Sequence, residues 1–137
     1  MKRILIIDGQ GGGIGKLLVE KLKGKATVIA AGTNALATSA MLKAGADAAV
    51  TGENAIVFNC RDCDVIAGPM GIVMANALMG EITPNMAEAV SSSKAKKILI
   101  PSLKCRTVVV GCNEKGLSEW IAEAVRLAEK ELGLTEA

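Results

Sequence analysis

The chain has 137 residues, a formal net charge of +2 and neither histidine nor tyrosine, and 50% of its residues are hydrophobic. This length predicts a single domain over residues 1–137. The small charge, with Phe58 and Trp120 as the only aromatic residues, argues against a nucleic-acid binder, which needs a basic surface and rings for base stacking. Any acid or base catalyst near pH 7 must be Asp, Glu, Lys or Cys.

The sequence carries no sign of export or membrane insertion. Met1, Lys2 and Arg3 lead directly into "ILII", which is too short for the apolar region of a secretory signal. The uncharged stretches 26–42 and 65–80 are rich in small residues and do not reach the roughly 20 apolar residues of a spanning helix. We therefore expect a cytoplasmic protein that does not bind membranes.

The four cysteines do not predict a metal site. Cys60 and Cys63 form a C-x-x-C motif, but Cys105 and Cys112 lie too far apart to complete a zinc ribbon. A redox-active C-x-x-C motif begins a helix after a strand, whereas this one precedes a predicted strand. Ordinary reduced thiols are the expected state.

The first half of the chain alternates short apolar runs with helical patterns. Strands are predicted at 3–7, 26–31 and 48–50. Helices are predicted at 13–23, from a cap at Thr33 or Asn34 to Gly45, and from Glu53 onward. Strands and helices in this alternation indicate a parallel sheet covered by helices.

The second half continues the alternation. Strands are predicted at 64–68, 96–101 and 107–112, and helices at 71–79, from the cap Thr83 and Pro84 onward, and at 117–132. Only five residues separate the last two strands, whereas a parallel crossover needs about a dozen or more, so this C-terminal pair should be antiparallel.

These elements predict a three-layer, Rossmann-like α/β fold. Its mostly parallel sheet would have five or six strands, with helices on both faces and the antiparallel C-terminal pair. Ligands of such sheets bind beyond the carboxyl ends of the strands. The loops expected there are 8–15, 32–34, 51–54 and 68–71, and all are rich in Gly, Asn or Thr.

The sequence "IIDGQGGGIGK" places five glycines between the first strand and the first helix. Such a loop lets backbone amides approach a phosphate at the helix N-terminus. The ATP-binding P-loop pattern is not met, because Gln10 and Leu17 stand at its glycine and hydroxyl positions. The alternative is that the glycines only permit a tight turn and close helix packing.

The spacing of Gly9, Gly13 and Gly15, G-x-x-x-G-x-G, resembles the first loop of the short-chain dehydrogenase/reductase family. The resemblance implies NAD or NADP as the cofactor, with its pyrophosphate at the loop. The catalytic Tyr-x-x-x-Lys motif of that family has no counterpart here. Thr33 and Asn34 stand where an acidic residue would hold the adenosine ribose, so they do not select NAD.

The whole chain resembles a small bacterial family of single Rossmann-like domains of unknown function. The stretches "IDGQGGGIGK", "GTNALATSAMLKAGA", "TGENAI" and "GPMGIVMANALMGEITPNMAEA" carry this resemblance. It implies a nucleotide-binding domain without a catalytic partner domain, and no catalytic residue is assigned. Glu53 is the best-placed acid or base, although a glutamate in the first turn of a helix also favours the helix dipole.

Two functions follow as hypotheses. The first is binding of a nucleotide, a dinucleotide or another phosphate-bearing small molecule, with no evident catalytic residues. The binding residues would be Gly9, Gln10, Gly11, Gly12, Gly13, Ile14, Gly15, Gly32, Thr33, Asn34, Gly68, Met70 and Gly71. The second is a structural or regulatory homo-oligomer, most simply a homodimer, that binds no nucleotide. Gly71, Ala75 and Met79 recur every four residues in its proposed interface helix.

Asp8 fits nucleotide binding least, because it places a carboxylate directly before the glycine loop. It can accept hydrogen bonds from loop amides and hold the loop, or it can bind a magnesium ion that bridges to phosphates. No second ligand stands at a suitable spacing, so we favour the first role.

Overall fold

The computed structural model describes residues 2–101, 106–112 and 115–134. Five strands form one sheet, in which β1 is Arg3–Asp8, β2 Thr27–Gly32, β3 Ala48–Thr51, β4 Val65–Pro69 and β5 Lys96–Ile100. Five α-helices connect or follow them, with α1 at Gly13–Leu22, α2 at Ala35–Lys43, α3 at Glu53–Asn59, α4 at Pro84–Ser92 and α5 at Leu117–Glu131. The predicted alternation of strands and helices is confirmed.

The strand order is β3-β2-β1-β4-β5, and every neighbouring pair is parallel. The chain winds outward from β1 to β3 and then returns to the other side of β1 with β4. The loops that follow β1 and β4 therefore diverge to opposite sides of the sheet. In sheets with this strand order, ligands bind at the carboxyl ends of the strands where the direction of winding reverses, here between β1 and β4.

Both faces of the sheet are covered, which explains the continuous apolar run of β1. Ile4 and Ile6 pack with residues of α1, α2 and α5, whereas Leu5 and Ile7 pack with residues of α3 and α4. All four side chains are fully buried. A strand buried on both faces has no polar alternation, so the three-layer prediction is confirmed.

Two helix starts follow their predicted caps. The Asn34 side chain accepts a hydrogen bond from the Ala37 amide at 2.9 Å, and the Thr83 side chain accepts one from the Met86 amide at 3.1 Å. Pro84 occupies the first position of α4, where its missing N–H group costs nothing.

The antiparallel C-terminal pair is wrong. Residues 107–112 form no strand, and Val108 and Val110 are 92% and 96% exposed. The sheet therefore ends at β5, which pairs with β4 in parallel. Left-handed backbone at Arg106 and Gly111, with φ of 50° and 83°, turns this segment away from extended pairing.

The predicted helix over 71–79 is also wrong. A single 3₁₀ turn covers Met70–Val73, and the chain then forms an irregular loop, residues 74–82, which we call the Glu81 loop. Asn76, Leu78 and Met79 have φ of 67°, 55° and 56°, which no right-handed helix accommodates. The four-residue spacing of Gly71, Ala75 and Met79 therefore forms no helical stripe.

No helix in the described part of the chain combines the length and the hydrophobicity that crossing a membrane requires.

Candidate functional site

The glycine loop lies where the winding of the sheet reverses. It connects β1 to α1, and the Glu81 loop follows β4 on the adjacent side. The Gly12 amide donates to the Gly9 carbonyl at 2.9 Å and closes the turn. Gly12, the N-cap residue directly before α1, has φ of 73° and provides no side-chain cap. The turn therefore requires a left-handed backbone conformation at Gly12, which glycine adopts more readily than other residues.

Asp8 supplies the cap that α1 lacks. Its carboxylate is 5% exposed and accepts hydrogen bonds from the Gly9 amide at 2.8 Å and from the Gly15 amide at 2.7 Å. Burial raises the pKa of Asp8, and these backbone hydrogen bonds oppose the rise. The expected role of Asp8 in holding the loop is confirmed by these contacts.

Packing accounts for three of the five loop glycines. A β-carbon on Gly9 would lie 2.7 Å from the Thr33 hydroxyl oxygen, and one on Gly15 would lie 2.5 Å from the Met41 sulfur. A β-carbon on Gly12 would meet the backbone of Ala37 at 3.0 Å. The structural alternative, that glycines permit close packing, therefore explains these three positions.

Packing does not account for Gly11 and Gly13. A β-carbon at either position would meet no atom within 4 Å, and neither residue has a positive φ. Within the residues that the structure describes, neither amide N–H has a hydrogen-bond acceptor. Two exposed glycines thus present free amide donors at the N-terminus of α1, which is the arrangement that favours an anion.

A cavity of about 640 Å³ opens over this loop. Its lining consists of Asp8, Gly9, Gln10, Gly11, Gly12, Gly13, Ile14, Lys16, Leu17, Glu20, Pro69, Leu78 and Leu117. The volume falls in the range of small-molecule and cofactor sites, which are mostly apolar with a few placed polar groups. Ile14, Leu17, Leu78 and Leu117 supply the apolar wall, and Lys16 supplies a cation.

Glu81 joins the glycine loop to the end of β2. Its Oε1 atom accepts hydrogen bonds from the Gln10 amide at 2.9 Å, the Thr33 hydroxyl at 2.6 Å and the Asn34 side-chain amide at 2.8 Å. The hydrogen bond from Thr33, with that from Gln10 and a smaller one from Asn34, lowers the pKa of Glu81 against a rise from burial. Glu81 is therefore a carboxylate at neutral pH.

The structure brings some of the predicted binding residues together and separates others. Gly9 to Ile14 line the cavity, and Gly15 is buried and does not line it. Thr33 donates to Glu81, and Asn34 donates to Glu81 and to the Gln10 carbonyl, so both contact the glycine loop or Glu81 beside it. Gly32 packs against Thr38, and Gly68 packs against the Ile7 carbonyl. Met70 and Gly71, in the 3₁₀ turn, do not line this cavity, where Pro69 and Leu78 lie instead.

Sequence reasoning missed Glu81, Leu78 and Leu117. Glu81 is the first charged residue after the uncharged stretch 65–80, which was the available signal. The incorrect prediction of a helix over 71–79 prevented the assignment of Glu81 to the site, because a helix there would place the following residue away from the glycine loop.

Glu53 does not reach the cavity of the glycine loop. Its carboxylate accepts a hydrogen bond from Thr83 and lines a separate groove between α3 and α4. Cys60 and Cys63 lie at the same groove, where burial raises their pKa values to about 11 and about 12. These thiols are protonated at neutral pH and are poor nucleophiles. Cys105 lies outside the described residues.

The fold is similar to that of a solved structure described as a dodecameric FMN-dependent UbiX-like decarboxylase from Escherichia coli O157:H7. The TM-score is 0.51 at 15% sequence identity, and the match covers 99% of this chain and 97% of that one. At this identity the likeness shows the shared α/β fold alone. No curated protein matches the chain significantly.

A family model matches residues 3–133, nearly the whole chain. The single-domain bacterial family predicted from the quoted stretches was one of unknown function, which agrees with the description of this family. The chain belongs to the family described as "Domain of unknown function (DUF3842)".

Proposed function

We propose that the chain binds a phosphate-bearing nucleotide at the glycine loop. The observation that carries this proposal is the pair Gly11 and Gly13, which packing does not explain and whose amides have no acceptor in the described residues. Their N–H groups and the N-terminal end of α1 would hold the phosphate, and Lys16 would add a positive charge.

The kind of nucleotide is narrowed by the cavity and by the structural neighbour. The neighbour is described as FMN-dependent, which makes a flavin mononucleotide the first ligand to test. NAD and NADP, implied by the resemblance of the loop alone, gain no support from the comparisons. Apolar walls at Leu78 and Leu117 suit a planar ring system beside the phosphate. We propose a role in binding, with no catalytic residue assigned.

The test is a thermal-unfolding series with FMN, AMP, ATP, NAD and NADP at millimolar concentration. A ligand at about a hundred times its dissociation constant stabilises the fold by roughly 2.7 kcal/mol. Gly13→Val should abolish this stabilisation, because its side chain would fill the space through which the phosphate reaches the amides. Asn85→Val, at an exposed position in the first turn of α4, is the matched control and should retain it.

Two outcomes would contradict the proposal. One is an unchanged melting temperature with every nucleotide in the series. The other is a stabilisation that Gly13→Val leaves intact, which would place the ligand elsewhere.

We also propose that the chain forms a homo-oligomer. The support is the exposed apolar segment around Val108 and Val110, together with a structural neighbour described as dodecameric. Exposed apolar residues in a contiguous segment are typical of contact surfaces. The helical stripe on which the sequence prediction rested gives no support, since it does not form.

A further inference from the structure

Three hydrogen-bond donors from two loops converge on one oxygen beside the proposed nucleotide site. The Gln10 amide comes from the glycine loop, and Thr33 and Asn34 come from the end of β2. All three donate to Oε1 of Glu81, at 2.9, 2.6 and 2.8 Å. Several neutral donors around one anionic oxygen are the environment in which proteins hold phosphate oxygens.

The Asn34 side chain and the Gln10 backbone are held by contacts besides those with Glu81, and so is the backbone of Thr33. The Oδ1 atom of Asn34 accepts from the Ala37 amide at 2.9 Å, and its Nδ2 group also donates to the Gln10 carbonyl at 3.0 Å. The Thr33 amide donates to the Asp8 carbonyl at 3.0 Å. The Asn34 and Gln10 donors would therefore keep their positions if the carboxylate left, and the Thr33 hydroxyl would stay on a fixed backbone.

The segment that carries Glu81 is strained. Asn76, Leu78 and Met79 are non-glycine residues in left-handed conformations, and Met79 is 94% exposed. Such residues persist only where surrounding contacts hold them. Backbone hydrogen bonds within the loop, such as that from the Asn76 amide to the Ile82 carbonyl at 2.7 Å, supply much of that restraint. The hydrogen bonds of the Glu81 carboxylate add to it, so releasing the carboxylate would loosen the loop near Glu81.

The carboxylates of Asp8 and Glu20 line the cavity over the glycine loop, and the Glu81 carboxylate adjoins it through its contact with Gln10. Asp8 is buried and bound to two amides of its own loop, so it stays in place. Glu81 is half-buried and reaches the donors through a long side chain, so rotation of that side chain can withdraw the carboxylate, which removes one negative charge and frees three donors.

Building on the proposed nucleotide site, we propose that Gln10, Thr33 and Asn34 form an oxyanion subsite that Glu81 occupies until a phosphate group displaces it. The ligand class is a phosphate monoester or diphosphate that reaches both this subsite and the amides of Gly11 and Gly13. The Glu81 carboxylate then competes with the phosphate. The apparent affinity for phosphate equals the intrinsic affinity multiplied by the fraction of molecules in which Glu81 has left the subsite.

The test measures inorganic phosphate binding to the full chain by titration calorimetry. Glu81→Ala should bind phosphate about tenfold tighter than the wild type, because the competing anion is gone. Glu81→Gln, which keeps the side-chain shape without the charge, should show a smaller gain in the same direction. Glu88→Gln removes a charge from an exposed position of α4 and should bind as the wild type does. Adding Thr33→Val to Glu81→Ala should cancel the gain.

A folded Glu81→Ala variant that binds phosphate no better than the wild type overturns the inference. If that variant does not fold, amide hydrogen exchange in the wild type decides. Saturating phosphate should speed exchange at residues 76–81, and unchanged exchange would refute displacement.

The two proposals fail separately. Nucleotide binding that Gly13→Val abolishes, without a gain in Glu81→Ala, refutes only the subsite. A phosphate gain in Glu81→Ala, with no nucleotide bound by the wild type, refutes only the nucleotide function.

Discussion

Replacing Asp8 by asparagine should destabilise the fold, because one of two buried amides would lose its acceptor. Asp8 accepts from Gly9 at 2.8 Å through one oxygen and from Gly15 at 2.7 Å through the other. Asparagine offers one oxygen and turns an N–H₂ group toward the second amide. A buried donor left unpaired costs about 1–3 kcal/mol. The substitution also removes a buried charge, which offsets part of this cost. We therefore expect the free energy of unfolding to fall by about 1 kcal/mol at pH 7.

The pH dependence of the free energy of unfolding provides a second test of this prediction. The pKa of Asp8 is raised above its ordinary value of 3.8, so the folded state holds this proton more tightly than the unfolded chain does. The stabilisation from this bound proton is complete below pH 3.8 and is lost as the pH rises through the raised pKa, whereas the two amide hydrogen bonds persist at pH 7. The stability difference between the wild type and Asp8→Asn should therefore narrow with rising pH in this range.

Urea denaturation followed by the fluorescence of Trp120, the single tryptophan, measures both effects. Asp47→Asn is the matched control, since the exposed Asp47 accepts from the Val28 amide at 2.8 Å and asparagine keeps one oxygen for it. That variant should lie within about 0.5 kcal/mol of the wild type. Equal stabilities of Asp8→Asn and Asp47→Asn at pH 7 would refute the reasoning.

The buried and half-buried cysteines and the exposed valines around Val110 lead to two further predictions. At pH 7, thiol labelling of the folded protein should be slow at the buried Cys60 and the half-buried Cys63, because burial raises their pKa values to about 11 and about 12. Rapid labelling of both thiols would contradict these raised pKa values. Light scattering during size exclusion should give a mass above that of the monomer, and Val110→Asp should reduce it if the exposed segment forms the contact. A monomer mass at high micromolar concentration would refute self-association.

Much of the fold could be predicted because local patterns and tertiary packing agree. The run "ILII" has no polar alternation, and the structure buries it on both faces. Thr83 followed by Pro84 specified a helix start that the structure confirms. The failures lie where local pattern and backbone geometry disagree. The segment 71–79 has the apolar composition of a buried helix, yet Asn76, Leu78 and Met79 are left-handed.

The structure brings the predicted residues of the glycine loop together at one cavity, and it adds residues that the sequence did not indicate. Strand ends that lie side by side in a parallel sheet made the loops after β1 and β2 predictable from order alone. Glu81 reaches them from a distant loop, 71 residues after Gln10 in sequence, and nothing in local periodicity encodes that contact. The same carboxylate accepts hydrogen bonds from the Thr33 hydroxyl and the Asn34 side-chain amide.

Backbone amide chemical shifts of Gly11 and Gly13 test the central claim most directly. In a titration of the ¹⁵N-labelled chain with FMN and with AMP, the account predicts that these two amides shift the most and saturate together with the ligand. Largest shifts in the groove between α3 and α4, with Gly11 and Gly13 unmoved at saturation, would contradict a phosphate site at the glycine loop.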